Sequence, residues 1–288
     1  MNYNTFKRML CTLSQEQKEK IDLLKKSTNI VGYSGGKDSS ATCILLHWLE
    51  IPYKTVTAEV WWKKNITGEH PYHYEFIHGI AAPKLNDWGV KSDFVSADIT
   101  AYEYITTPIA YSKNHPERVG KLRGFPLCGK CGIQRDCKIK PCDRYYKQQT
   151  DSYNVITGIA PDEKDRIITN SASGRISILE LLDVVEYMTY AICASEQMLS
   201  PTYDFSNRGG CWFCPNQKIQ ELELLYRVFP EFWEEIMAIQ RMPNKVQEKF
   251  NRTQTLYDIE EQIKHGVQQK WFMGSLMAKN ETQEQKEQ

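Results

Sequence analysis

Ile30-Val31-Gly32-Tyr33-Ser34-Gly35-Gly36-Lys37-Asp38-Ser39-Ser40, running on into Ala41-Thr42-Cys43-Ile44-Leu45-Leu46-His47-Trp48-Leu49, is the stretch whose reading decides the fold. An apolar run passes through glycines set among hydroxyls and then into an apolar helical pattern, which reads as strand, tight loop and helix. Such a loop gathers backbone N–H groups and the positive end of a helix dipole at one point, and glycines let a bulky anion approach the backbone. Its natural ligand is a phosphate chain. A P-loop is excluded because Lys37 is followed by Asp38 and the upstream glycine spacing is wrong. Gly32-Tyr33-Ser34-Gly35-Gly36 satisfies Gly-x-Ser-x-Gly, but a hydrolase elbow usually follows several strands and here hardly one precedes it. A glycine-rich turn without a ligand is the plain alternative.

The chain has 288 residues, with 36 basic and 36 acidic side chains, so no overall charge points to nucleic acid or membrane. No apolar run approaches the roughly 20 residues needed to span a bilayer. The opening Met1-Asn2-Tyr3-Asn4-Thr5-Phe6-Lys7-Arg8 lacks a signal-peptide core, so a cytoplasmic protein is expected. Nine cysteines in a reducing compartment are a poor disulfide framework, and clustered ones suggest metal. Cys11, Cys43 and Cys193 lie in apolar or helical contexts and read as buried fillers.

Ahead of the loop, residues 14–27 form a helix with Ser14 as N-cap and Gln17 at the capping-box position. Tyr53 to Val60 reads as a second strand, and Glu59 at its end faces either a nucleotide, a metal or plain solvent. A helical stretch over about 71–87, a strand near 91–96, a helix start at Asp98-Ile99-Thr100 and a strand Val155–Thr157 ending at Gly158 follow. An amphipathic helix spans 178–188. Strands alternating with helices argue for an α/β fold, a doubly wound and mainly parallel sheet. In that architecture ligands sit beyond the carboxyl ends of the strands, where the glycine loop lies.

Residues 121–147 carry Lys121, Arg123, Lys130, Arg135, Lys138, Lys140, Arg144 and Lys147 against only Asp136 and Asp143. This is either a solvated helix face or a surface for a polyanion such as a nucleic acid. The same segment holds Cys128, Cys131, Cys137 and Cys142, and Gly210-Cys211-Trp212-Phe213-Cys214-Pro215 supplies a second Cys-x-x-Cys. Two such groups make one tetrathiolate site for Zn2+ or an iron-sulfur cluster if the fold brings them together; a thiol pair or inert cysteines are the alternative. Leu222, Leu224, Leu225, Tyr226 and Val228 to Met237 supply apolar anchors for ordinary packing or for a protein partner.

With these pieces located, the loop resembles the Ser-Gly-Gly-x-Asp-Ser signature of the PP-loop ATP pyrophosphatases. Over residues 28–217 the chain is similar to their phosphoadenosine-phosphosulfate (PAPS) reductase branch. The matching pieces are Ser34 to Ser39; Cys131, Cys137, Lys138 and Pro141; Gly158, Ile159, Asp162, Glu163 and Arg166; and Gly210, Cys211, Cys214 and Pro215. The resemblance implies an adenine nucleotide alpha hydrolase-like domain over 28–217, between an N-terminal helical segment (1–27) and a helical extension with a polar tail (218–288). It implies that Ser34, Gly35, Gly36, Lys37, Asp38, Ser39 and Ser40 cradle pyrophosphate. Glu59, Gly158, Ile159, Asp162 and Glu163 would complete the nucleotide site, Lys37, Asp38 and Arg166 act in the chemistry, and Asp38 helps hold Mg2+. A [4Fe-4S] cluster, or Zn2+, falls to Cys131, Cys137, Cys211 and Cys214, with Cys128 and Cys142 in reserve.

Two departures bear on the reaction. No cysteine follows Cys214, so the mobile C-terminal nucleophile of PAPS reductases is missing, and Ala160 stands where that family has an arginine. The chain looks more like divergent phage and mobile-element members, and like DNA-phosphorothioation and tRNA-thiolation enzymes. The leading expectation is therefore an ATP-using adenylating enzyme serving sulfur transfer to a nucleic acid or small molecule. Sulfonucleotide reduction by an external thiol and a non-catalytic nucleotide-binding subunit are the alternatives.

Overall fold

The computed structural model describes residues 1–126 and 131–265. The stretch 127–130, which holds Cys128 and Lys130, and the tail from 266 onward, including the polar segment after Trp271, lie outside the described residues. Two helices come first, α1 (Tyr3–Leu10) and α2 (Gln15–Lys25). The second begins with the expected capping box: Gln17 N–H donates to Ser14 Oγ at 3.2 Å and Ser14 N–H to Gln17 Oε1 at 2.8 Å.

The decisive stretch folds as read, with β1 (Thr28–Gly32) passing through the glycine loop into α3 (Lys37–Trp48). Then come β2 (Lys54–Glu59) and a hairpin of β3 (Trp61–Lys63) and β4 (Ile66–Thr67), turned by Asn65 at φ 66°. The expected helical run follows as α4 (Pro71–Phe76), a π-turn (Ile77–Ala81) and α5 (Ala82–Asp87). After β5 (Ser92–Ser96), α6 (Ala101–Thr106) is capped by Thr100, and a second π-turn (Gln134–Ile139) leads into α7 (Lys140–Lys147). Each π-turn stands just ahead of a proline, Pro83 or Pro141, which has no N–H for the carbonyl four residues back, so the ladder widens there.

The rest of the chain gives β6 (Tyr153–Thr157), α8 (Lys164–Ala172), β7 (Ile176–Ser177), α9 (Ile178–Leu181) and α10 (Glu186–Ser195). It closes with α11 (Ile219–Val228), α12 (Pro230–Arg241) and α13 (Leu256–Lys264). The single helix expected over 178–188 is in fact two. Asp183 takes the left-handed conformation at φ 54° and Val184 N–H turns back to Leu179 O at 2.8 Å, which ends α9. Val185 is extended, so α10 restarts at Glu186 in a new direction.

The central sheet is all parallel, in the order β5-β2-β1-β6-β7. Because β1 leads outward to β2 on one side and the chain returns to β6 on the other, the order reverses between β1 and β6. That reversal is where a doubly wound sheet opens a ligand crevice. The glycine loop leaves β1 and Gly158 follows β6, so both flank it.

α3 is buried nearly all round, with Cys43, Ile44, Leu45 and Leu46 fully enclosed in the larger core formed with the sheet, α9 and α10. Each such leucine or isoleucine contributes roughly 1.5–3 kcal/mol. A second core joins Trp62, Trp212, Phe213, Leu222, Leu225, Trp233, Ile236 and Met237, so most of the C-terminal apolar anchors are spent on packing, while Val228 stays exposed. Of the three cysteines expected to be fillers, Cys43 and Cys193 are buried but Cys11 is exposed, because it caps the C-terminus of α1. Among the described residues no helix is long and apolar enough to cross a membrane.

Candidate nucleotide cleft

Two cavities open at the carboxyl ends of β1, β2 and β6, and a third adjoins them. The first, of 240 Å³, is walled by Val56, Trp61, Tyr74, His78, Tyr146 and Glu59. The second, of 390 Å³, lies over the glycine loop and is lined by Ser34, Gly36, Asp38, Ser39, Gly158, Ile159, Arg166, Arg175, Tyr203 and Arg208. The third, of 240 Å³, is lined by Cys131, Cys211, Cys214, Gln134 and Pro126. Lys138 lines all three, and Arg208, Gly209 and Gly210 line both the second and the third.

The glycines of this cleft are there for contact. A Cβ on Gly158 would lie 2.6 Å from the Asp38 carbonyl carbon and 2.7 Å from Ser39 N, so the end of β6 rests directly on the first turn of α3. Gly35 has φ +72°, and a Cβ there would meet Ile77 at 2.6 Å. The loop is tied inward as well. Ser34 N–H donates to Ser39 Oγ at 3.2 Å, and Lys37 N–H to Tyr203 Oη at 3.0 Å.

The buried ring of His73 fixes the loop from behind. Its Nε2 lies 2.9 Å from Ser34 O, a pure acceptor, so Nε2 carries the proton and Nδ1 accepts from Ser200 Oγ at 2.9 Å. Burial holds the His73 pKa below its ordinary value, against the pull of Glu69.

Several expected site residues take positions the sequence does not reveal. The Lys37 ammonium is only 3% exposed and turns away from the cavity, 2.8 Å from Asp38 Oδ1 and 2.9 Å from Glu186 Oε1. Burial opposes its charge, but those two carboxylates outweigh it and raise its pKa. Ser40 is buried against Tyr33 Oη at 3.2 Å. Asp162 accepts from Glu186 N–H at 3.2 Å, capping α10, while Glu163 accepts from Ala160 N–H at 3.3 Å and pairs with Arg166. Glu59 lines the first cavity, 3.0 Å from His78 Nε2.

Arg175, Arg208, His73 and Tyr203 belong to the cleft without having been singled out from sequence. Arg208, standing directly before the Gly-Gly-Cys run, carried the only local signal. Among the charges of the second cavity, Glu69 is matched by Lys138 at 2.5 Å. Burial would raise the Glu69 pKa, but Lys138 and His73 hold it low; burial likewise works against the Lys138 ammonium, which Glu69 and the Cys211 sulfur hold high. Arg208 reaches Cys214 Sγ at 3.5 Å and Arg175 lies 3.8 Å from Asp143. With Arg166 paired to Glu163 and Lys138 to Glu69, Arg208 and the loosely held Arg175 leave the cavity a cationic side.

The basic segment is less naked than its count. Asp136 takes both Arg135 at 2.6 Å and Lys140 at 2.7 Å, Asp98 takes Arg144 at 2.6 Å, and Glu69 takes Lys138. Asp98 and Glu69 lie outside the segment.

The cysteines converge only in part. Cys131, Cys211 and Cys214 share the third cavity, whereas the Cys137 thiol lies 3.7 Å from Ile99 O within the second core, and Cys142 sits beside the first cavity. Burial pushes the Cys137 and Cys142 thiols up to about 11 and Cys211 higher still. Among the described residues no three His, Cys, Asp or Glu side chains are grouped to hold one metal ion. Cys137 thus stands apart from the other three expected ligands, and Cys128 lies outside the described residues. The Asp38 carboxylate borders the cavity, accepts from Thr189 Oγ1 at 3.1 Å, and has both oxygens within 2.9 Å of the Lys37 ammonium.

Beside the thiols, His70 is buried with its Nδ1 lacking a hydrogen-bond partner among the described residues. Burial, helped by His73, lowers its pKa from 6.5 to about 4. A base whose pKa is depressed on folding contributes stability that is full above the unfolded value and lost as pH falls through the folded one. We expect about 3 kcal/mol to be lost between pH 6.5 and pH 4. Denaturant midpoints should fall over that window in the native chain and much less in His70→Phe; parallel curves would refute the assignment. No protein-family model matches the chain, and no curated protein matches it.

Proposed function

We propose that the cleft binds ATP, its triphosphate over the N-terminus of α3 and its nucleoside between Tyr74, His78 and Tyr146, and that it activates an acceptor by adenylation with release of pyrophosphate. One observation carries this reading: at the strand-order reversal, Gly158 lets β6 close on the first turn of α3 while Arg166, Arg175, Arg208 and Lys138 wall the same cavity. A glycine turn set with hydroxyls, a helix N-terminus and guanidiniums together make a site for a chain of phosphates.

In the reaction an acceptor oxygen attacks the α-phosphorus, the bond to the bridging oxygen breaks, and pyrophosphate leaves with the electron pair. Charge grows on the departing phosphates, where these donors are already oriented. Mg2+ would bind Asp38 together with phosphate oxygens and neutralise part of that charge. Lys37 contributes by fixing Asp38. A sulfur or nitrogen nucleophile then displaces AMP from the activated acceptor. Arg135, Lys140 and Arg144 remain at least half exposed at 63%, 64% and 51%, which supports docking of a polyanionic acceptor such as a nucleic acid. A cytoplasmic setting accords with the free thiols.

Titrating the protein with ATP and following pyrophosphate tests the reading. Arg208→Ala should weaken ATP binding about tenfold or more. Absence of saturable ATP binding by the native chain would sink the proposal. A second reading has its own support in the three thiols adjoining the phosphate cavity: reduction of a sulfonucleotide, for which sulfite rather than pyrophosphate would be the product.

A further inference from the structure

Tyr203 stands on the short 3-10 turn Pro201–Asp204, which no motif ties to the glycine loop. Its hydroxyl accepts the Lys37 amide at 3.0 Å, and its ring is steadied by Tyr190, 5.5 Å away and edge-on. A Cβ on Gly36 would approach this hydroxyl to 3.3 Å, so a side chain there would crowd it. A phenol has one proton to donate as well as lone pairs that accept. The accepting side is spent on the first amide of α3, and the proton has no acceptor among the described residues, although Tyr203 borders the 390 Å³ cavity.

We propose that Tyr203 is a phosphate-binding residue that extends the N-terminus of α3 by one hydrogen bond, passing the polarisation of the Lys37 amide through its hydroxyl to a phosphate oxygen. This rests on the nucleotide reading of the cleft and deepens it. Two linked bonds of this kind reinforce each other, because an amide that donates to the phenol oxygen makes the phenol proton a better donor. The arrangement also explains how an anion is served by a helix whose lysine ammonium is committed elsewhere. Burial raises the Tyr203 pKa, so the proton stays on the oxygen at neutral pH.

The test compares inorganic pyrophosphate with adenosine as probes of native protein and Tyr203→Phe. The variant keeps the ring and should bind pyrophosphate about tenfold more weakly, with adenosine affinity unchanged. An equal loss for both probes would mean a purely structural role and would overturn the proposal. Unchanged or tighter pyrophosphate binding would overturn it too, since the hydroxyl would then only shield the amide. Should the native protein bind neither probe, the nucleotide reading itself fails, and that result is distinct from the other two.

Discussion

Gly158→Ala is expected to destabilise the protein by about 3 kcal/mol and to abolish measurable ATP binding. The added Cβ would lie 2.6 Å from the Asp38 carbonyl carbon, 2.7 Å from its oxygen and 2.7 Å from Ser39 N, all backbone atoms in the first turn of α3. No rotamer change relieves such a contact. Either β6 withdraws from β1, breaking a parallel pair registered from Thr28 opposite Tyr153 to Val31 opposite Ile156, or the first turn of α3 shifts. Both movements spoil the point where the amides converge. Gly79→Ala is the control: a Cβ at Gly79 meets nothing within 4 Å among the described residues, and a glycine replaced inside a helical run stabilises by up to about 1 kcal/mol. Denaturant unfolding together with ATP titration reads both variants. If Gly158→Ala matched the control, the close contact between strand end and loop would be of no consequence.

The contrast between these two glycines indicates what the sequence could and could not convey. Strand, loop and helix from Ile30 to Leu49 were legible because the pattern is local: apolar period, glycines, then apolar period again. The strand before Gly158 was legible on the same ground. β7, only Ile176–Ser177, was not, since two residues carry no period and are strand only by pairing with β6. The break at Asp183 was hidden because its flanks, Leu181-Leu182 and Val184-Val185, keep an apolar pattern that a continuous helix would share. The site divides likewise. Asp38 and Arg166 were visible in motifs, but Tyr203, His73 and Arg175 are brought in by tertiary packing from segments with no signature of their own. Lys37 is the intermediate case, since its presence is a matter of sequence and its direction a matter of where α10 begins.

That direction leads to a large effect at the neighbouring residue. Asp38→Ala should cost about 3 kcal/mol in stability, quite apart from any effect on nucleotide, because it removes the closer partner of a nearly buried ammonium. Lys37 is 3% exposed and lies 2.8 Å from Asp38 Oδ1, whereas its other partner, Glu186, is 52% exposed and gives much of its charge to solvent. The Cys193 thiol, whose pKa burial raises, donates to the Lys37 carbonyl oxygen and offers no compensating anion at neutral pH. The double variant Lys37→Met/Asp38→Ala should therefore recover most of the loss, since it removes the stranded charge and keeps the volume. The pH dependence has a definite sign. Burial opposes the Lys37 charge, but Asp38 and Glu186 raise its pKa above 10.5, so their stabilisation is full below that value and is lost as pH rises through the folded one. Alkaline unfolding of the native chain should thus be steeper above pH 10.5 than that of the double variant. A single Asp38→Ala protein as stable as the native one, with ATP binding alone reduced, would refute the structural half of the argument and leave Asp38 as a ligand to the nucleotide's cation.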